Sequence, residues 1–265
     1  MRFTLGLVCS VGVGPARGGR ARNEDNYLVC RDGRATWRLD DSERSEPATG
    51  EGLLVGVFDG MGGHENGHVA ATTAARVLAK LYRPGVPAEP AKAMRRFVLE
   101  SHQRLYERAA EAGPVSMGTT LTALWLFDGL AAYVHVGDSR LYHSRGGRLE
   151  QVTADHTRQE FAWRDGRAVE DGHHLTQNFI YGSRGLGDNT AIRIDEGQDS
   201  DLIAIDPGDR LLLCTDGLTG TVDEASIADV LRNVPDPQAA ATACVERAMA
   251  RGSTDNITVM VISVR

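Results

Sequence analysis

The sequence contains no uninterrupted apolar run of about 18 residues, the length at which a helix begins to span a bilayer. No membrane-crossing segment is therefore expected. The opening stretch, MRFTLGLVCSVGVG, carries one Arg and no convincing small-residue cleavage pattern. It reads as a first β-strand rather than a secretory leader. Cysteine is scarce: Cys9, Cys30, Cys214 and Cys244, with no C-x-x-C pair. That spacing excludes a disulfide framework and a cysteine zinc site. Cys9 and Cys214 sit in apolar runs and read as buried small hydrophobes in a reducing, cytoplasmic setting. There is no basic excess either. Lys and Arg total 29 against 36 Asp and Glu, a net charge of −7, and no nucleic-acid partner is expected. No internal repeat is evident.

What is present is 265 residues of ordinary globular composition, 42% of them hydrophobic. That suffices for one catalytic domain over 1–265 with a sizeable core. Short apolar runs rich in β-branched residues read as strands: FTLGLVCSV, YLVC, LLVGVFDG, TLTALWLF, LAAYVHVG, RLLLCTDG and ITVMVISV. SRLYHSRGGRLEQVT reads as a hairpin around Gly146-Gly147. Helices are expected from Gly67 to Leu81, with Val69, Thr73, Val77 and Leu81 recurring every four residues on one face. Others are expected over 91–110 (Met94, Phe97, Val98 and Leu105 inward), 223–232 and 237–250. Strands and helices are segregated, which favours an α+β layered domain. Residues 31–52 are polar and turn-rich and read as an exposed loop. Residues 157–189 are charged and read as a lid-like excursion.

The positions of aspartate carry the chemistry. Asp59 and Asp216 each end an apolar strand and precede a Gly. Asp138 ends YVHVGD, and Asp255 stands just before the last strand. If that strand runs antiparallel to the others, all four carboxylates share one sheet edge. Close carboxylates repel and cannot all stay ionised without a cation. Oxygen-only ligands suit Mg²⁺ or Mn²⁺, and a Gly after a ligand Asp leaves its carbonyl free to approach an ion. Arg20, Glu24 and Asp25 precede another strand, and Arg offers a planar fork for phosphate.

A competing motif is His64-Glu65-Asn66-Gly67-His68, which matches the H-E-x-x-H of zinc peptidases. Gly62-Gly63 immediately before it, Gly67 within it, and alanines at 71 and 74 in place of the extended motif's Gly and His argue against zinc.

R-x-x-N-E-D at 20–25, VFDGMGGH at 57–64, GTT at 118–120, VGDSR at 136–140, TADHT at 153–157, GLGDN at 185–189, LLLCTDGLTG at 211–220 and DNITVMVI at 255–262 occur in order along nearly the whole chain. In this the sequence resembles the bacterial metal-dependent serine/threonine protein phosphatases of type 2C. The resemblance implies a four-layer α-β-β-α sandwich, two antiparallel sheets flanked by helix pairs, with a flap at about 157–187. It implies two Mn²⁺ or Mg²⁺ ions. Asp59 would bridge them, Gly60 would give its carbonyl to one, and Asp216 and Asp255 would hold the other. Glu24 and Asp25 would order bound waters, Arg20 would clamp the substrate phosphate, and Asp138 with Asp216 would form a third-metal site.

Water would then attack phosphorus in line, with no phosphoenzyme. Where eukaryotic members carry a His after the metal-site Gly, this chain has Met61, and His64 is the replacement candidate for the proton donor. The sequence also departs from the family at Ser10-Val11 and at Ser183-Arg184-Gly185. The expected partner is a phosphorylated protein, such as a Ser/Thr kinase or an FHA-type scaffold, acted on by a monomer. A catalytically silent binding domain is the alternative, but no metal Asp and no clamp Arg is lost.

Overall fold

The computed structural model describes residues 1–61, 66–85, 87, 89–111, 118–157, 179–180 and 200–265. Strands β1 (Phe3–Ser10), β15 (Ile257–Val264), β14 (Arg210–Cys214), β10 (Arg140–Arg145) and β11 (Arg148–Gln151) form one sheet in that order. The second sheet runs β13 (Ser200–Ala204), β9 (Leu130–Val136), β8 (Leu121–Phe127), β5 (Leu53–Phe58), β2 (Asn26–Arg31), β3 (Arg34–Leu39) and β4 (Ser42–Pro47). All pairings in both sheets are antiparallel. A small sheet joins β6 (Gly60–Met61), β7 (Gly118–Thr119) and β12 (Phe179–Ile180).

Three apolar clusters make the layers. Met260, Ile262 and Val264 of β15 pack between the sheets against Val55, Val57 and Leu124. Ile257, Val259 and Val261, the alternate residues of the same strand, pack under helices α4 (Glu224–Asn233) and α5 (Pro237–Ala250). The period of two sends successive side chains to opposite faces. A strand covered on both faces therefore reads as one continuous apolar run, and all eight residues of β15 are buried. Helices α1 (Asn66–Ala79) and α2 (Pro90–Glu111) cover the outer face of the larger sheet. The four-layer sandwich expected from the sequence is the architecture found.

Local signals fix the helices. Asp236 accepts a hydrogen bond from the Ala239 N–H at 2.8 Å, with Pro237 opening α5. Asp223 does the same for α4 through the Ser226 N–H. The buried face of α1 matches the expected one only in part: Val77 is buried and Leu81 packs against the core. Gly67, Ala70, Ala71, Ala74, Ala75, Val77 and Leu78 are buried, whereas Val69 and Thr73 are only half-buried. Small residues let the helix lie close to the sheet, and proximity rather than side-chain bulk selects this face. Met94, Phe97 and Val98 of α2 point inward as expected.

Residues 31–52 are not a loop. Residues 34–47 form the β3–β4 hairpin at the sheet edge, entered through Asp32 and Gly33 at positive φ (50° and 80°). Ala35 and Trp37 face the core, while every residue of β4 is exposed. An edge strand wet on both faces carries no hydrophobic alternation, and its charges keep other strands from adding to the edge. The flap expected at about 157–187 falls almost wholly outside the described residues, and so do GLGDN and Ser183-Arg184-Gly185.

Candidate active site

The expectation that the last strand begins where others end is met. Strand β14 pairs antiparallel with β15, placing Cys214 opposite Val259. Asp216, just past one strand, and Asp255, just before the other, therefore lie at the same sheet edge. Asp216 opens a short helical turn, α3 (Asp216–Thr219). A Cβ on Gly217 would stand 1.9 Å from the Asn256 carbonyl oxygen, so only Gly lets these two segments touch.

From the opposite sheet, Asp59 follows β5. Its N–H donates to Thr120 Oγ1 at 2.9 Å, and its carbonyl accepts from the Thr120 N–H. The Thr120 hydroxyl is bonded to Ser139 Oγ at 2.7 Å, and Ser139 directly follows Asp138. The GTT and VGDSR segments are thus hydrogen-bonded to each other and, through Thr120, to the backbone of Asp59. Gly60 lies back to back with Gly67. A Cβ on Gly60 would sit 2.3 Å from the Gly67 carbonyl oxygen and 2.6 Å from that of Glu24. The glycine inside the H-E-x-x-H match therefore serves close approach of α1 to β6. His64 and Glu65 lie outside the described residues, and His68 is half-buried on α1.

Asp25 is 1% exposed and accepts from Thr258 Oγ1 at 2.7 Å and Thr215 Oγ1 at 2.9 Å. These two threonines, which the sequence reading did not single out, hold the carboxylate from β15 and from the end of β14. Glu24 is half-buried, and its N–H donates to Asn256 Oδ1 at 2.8 Å. Asn256 also donates to the carbonyls of Val11 and Arg22, tying the R-x-x-N-E-D segment to the start of β15. Arg20 is exposed and grips Asp255 with two bonds, Nε to Oδ1 at 2.8 Å and Nη2 to Oδ2 at 2.9 Å.

The electrostatics show one crowded acidic centre. Burial first, then the charge of Asp216 and Asp255, lifts Asp25 to about 7 against the two threonine bonds. Burial, then Asp216 and Asp155, lifts Asp138 to about 7. Asp59 is raised well above the carboxylate range by burial, then by Asp25, Asp216 and Asp138. Asp216 is raised by burial and by Asp255.

Among the described residues, no three carboxylate, imidazole or thiol groups already surround a common point at ligand distance. Asp255 is engaged by Arg20 instead, and Asp59 and Asp216 act on each other as neighbouring charges. The residues nevertheless fit divalent cations. Asp216 Oδ1 is buried without a partner, the donors are all hard oxygens, and the mutual repulsion is what a cation relieves. The cysteines offer no rival chemistry. All four are free thiols, and burial pushes Cys9, the one nearest Asp25, up to about 11.

The protein phosphatase 2C family matches residues 34–251. The serine/threonine phosphatase stp of Listeria welshimeri is 30% identical over 216 residues, 79% of this chain and 83% of that protein. The crystal structure of the Mycobacterium tuberculosis serine/threonine phosphatase PstP/Ppp superposes with a TM-score of 0.78 at 25% identity, covering 100% of both chains. The catalytic domain of the serine threonine protein phosphatase PstP in complex with two manganese ions gives a TM-score of 0.75 at 27% identity, over 99% of each chain.

Proposed function

The chain belongs to the protein phosphatase 2C family, and from that premise we propose how its acidic rim hydrolyses phosphoserine and phosphothreonine in proteins. It is a serine/threonine protein phosphatase of the 2C type, and we read the whole chain as one catalytic domain. The observation that carries the proposal is the crowding of Asp25, Asp59, Asp138 and Asp216, each raised by burial and by its neighbours.

Asp59, the Gly60 carbonyl, Asp216 and Asp255 are the proposed ligands of two Mn²⁺ or Mg²⁺ ions, with Asp138 and Asp216 for a third. The chemistry such ions supply when bound is activation of water for in-line attack and neutralisation of phosphoryl charge. The protein's own part is positioning. Thr215 and Thr258 fix Asp25, and Asn256 fixes the backbone of Glu24, so both acids can orient water beside the ligands. Arg20 carries a two-pronged donor edge, now on Asp255, that matches a phosphoryl group. His64 is the proposed proton source for the departing serine or threonine alkoxide. A Ser/Thr kinase or an FHA-type protein is the proposed class of substrate.

The test is hydrolysis of a phosphothreonine peptide with Mn²⁺ or Mg²⁺ and with EDTA. We expect turnover only with metal, and its loss in folded Asp216→Asn and Asp59→Asn. Metal-independent turnover, or none with either metal in folded protein, would overturn the reading.

A further inference from the structure

At the end of the smaller sheet away from the acidic rim, four polar residues stand in one cross-strand row. Thr4 of β1 is opposite Ser263 of β15, Ser263 is opposite Arg210 of β14, and Arg210 is opposite Ser144 of β10. By the alternation that sends Val261, Leu212 and Tyr142 under α4 and α5, all four point to the helix side.

This row holds an unusual concentration of unmet donors. Thr4 Oγ1, Ser263 Oγ, and both Nε and Nη2 of Arg210 are buried with no hydrogen-bond partner. The remaining Arg210 nitrogen, Nη1, donates to the carbonyls of Leu231 and Val234 at the end of α4. Among the described residues no carboxylate pairs with Arg210. A half-buried cation without a paired counter-ion is costly, and burial, partly offset by the charge of Asp236, lowers the affinity of this guanidinium for its proton. Arg210 and Ser263 line a pocket of about 540 Å³, together with Ser144, Gly147 and Arg232. Neither neighbouring acid pairs with it: Asp236 acts on it only as a nearby charge and accepts from the Ala239 N–H, and Asp209, which lines the same pocket, is already engaged. Asp209 accepts from Arg145, His143 and the Asp206 N–H. Arg232 is exposed and donates to the Gly147 carbonyl at 3.2 Å. A Cβ on Gly146 or Gly208 would meet nothing within 4 Å, so the ground around the pocket is open.

We propose that this pocket is a site for a free tetrahedral oxyanion of phosphate or sulfate size, taken by the Nε–Nη2 edge of Arg210 and the Ser263 hydroxyl, with Arg232 at the mouth. The Nε–Nη2 edge is the parallel two-donor face that guanidinium presents to oxyanions. Its donors lie below the surface, which favours a small free ion over a phosphorylated side chain of a partner. Strand β14 separates the site from Asp216 by at least roughly 13 Å, at about 3.3 Å per residue.

The experiment is thermal denaturation of EDTA-treated protein titrated with inorganic phosphate and with sulfate. We expect saturable stabilisation in wild type and in Arg20→Gln. In Arg210→Gln the apparent affinity should fall by at least about tenfold, the weight of a charge-assisted bond. Ser263→Ala and Arg232→Gln should each weaken binding severalfold, and they carry the test should Arg210→Gln not fold. Crystals soaked in selenate should show an anomalous peak between Arg210 and Ser263. A phosphoserine peptide should not compete with the free ion. No stabilisation, stabilisation lost in Arg20→Gln but kept in Arg210→Gln, water alone at the selenate position, or effective competition by the peptide would each overturn the assignment.

Discussion

Raising the pH should destabilise the metal-free protein, and Mn²⁺ should reverse that trend. Asp25 is 1% exposed, and its carboxyl is pushed from 3.8 to about 7 by burial and by Asp216 and Asp255. The folded state therefore holds a proton that the unfolded chain releases. Below the unfolded value both states are protonated and nothing is lost. As pH climbs from about 4 to about 7 the unfolded state gains the advantage, and stability falls. The full weight of Asp25 alone is at most roughly 4 kcal/mol. In a chain of this size that corresponds to a drop in Tm of up to roughly 10 °C. Asp138, raised to about 7, acts in the same direction. His135 opposes both. Burial holds it neutral and far below its ordinary value, so it adds stability as pH rises towards about 6.5.

The discriminating quantity is thus the difference in Tm with and without Mn²⁺, measured by calorimetry at pH 5, 6, 7 and 7.5. Ions bind the deprotonated acids, so this difference should grow with pH, and Asp25→Asn should flatten the slope of the metal-free protein. A metal-free Tm that rises through pH 7, or a Mn²⁺ effect equal at pH 5 and pH 7.5, would refute the reasoning.

Two substitutions probe the supports of the site and a third the edge hairpin. Thr258→Val removes the 2.7 Å donor to Asp25; titration calorimetry should show Mn²⁺ affinity lower by about tenfold, the scale of one hydrogen bond to a charged group. Gly67→Ala places a Cβ 2.7 Å from the Gly60 carbonyl oxygen and 2.9 Å from Glu24 Cδ; turnover should fall far more than Tm, and an unaffected kcat/KM would count against Gly60 as a ligand. Trp37→Ala empties a core position of the edge hairpin, and urea denaturation should show a loss of about 3–5 kcal/mol.

The acidic cluster was legible in the sequence because its carboxylates sit at strand ends, where an apolar run stops abruptly at Asp. Antiparallel pairing then converts separations along the chain into one edge, as with Asp216 and Asp255. The supports were harder to read. Thr215 and Thr258 lie inside or beside apolar strands, where a threonine is an ordinary β-former, and nothing local distinguishes one that faces a buried acid. The β3–β4 hairpin was misread because β4 is exposed on both faces and lacks alternation. Asp32-Gly33, the two-residue turn that joins β2 to β3, was the clue available that a strand follows. The face of α1 was read only in part, through Val77 and Leu81, because large residues at fourfold spacing outweighed the alanines that close packing against the sheet selects. His64 shows the opposite limit: its role is argued from the resemblance, and its position lies outside the described residues.

The most direct test of the central claim is anomalous scattering at the manganese edge from crystals grown with Mn²⁺. The account predicts two ions about 3.5–4 Å apart, bridged by Asp59 and flanked by Asp216 and Asp255, with Arg20 released from Asp255. A single ion, or ions held at His68 and away from Asp59, would contradict it.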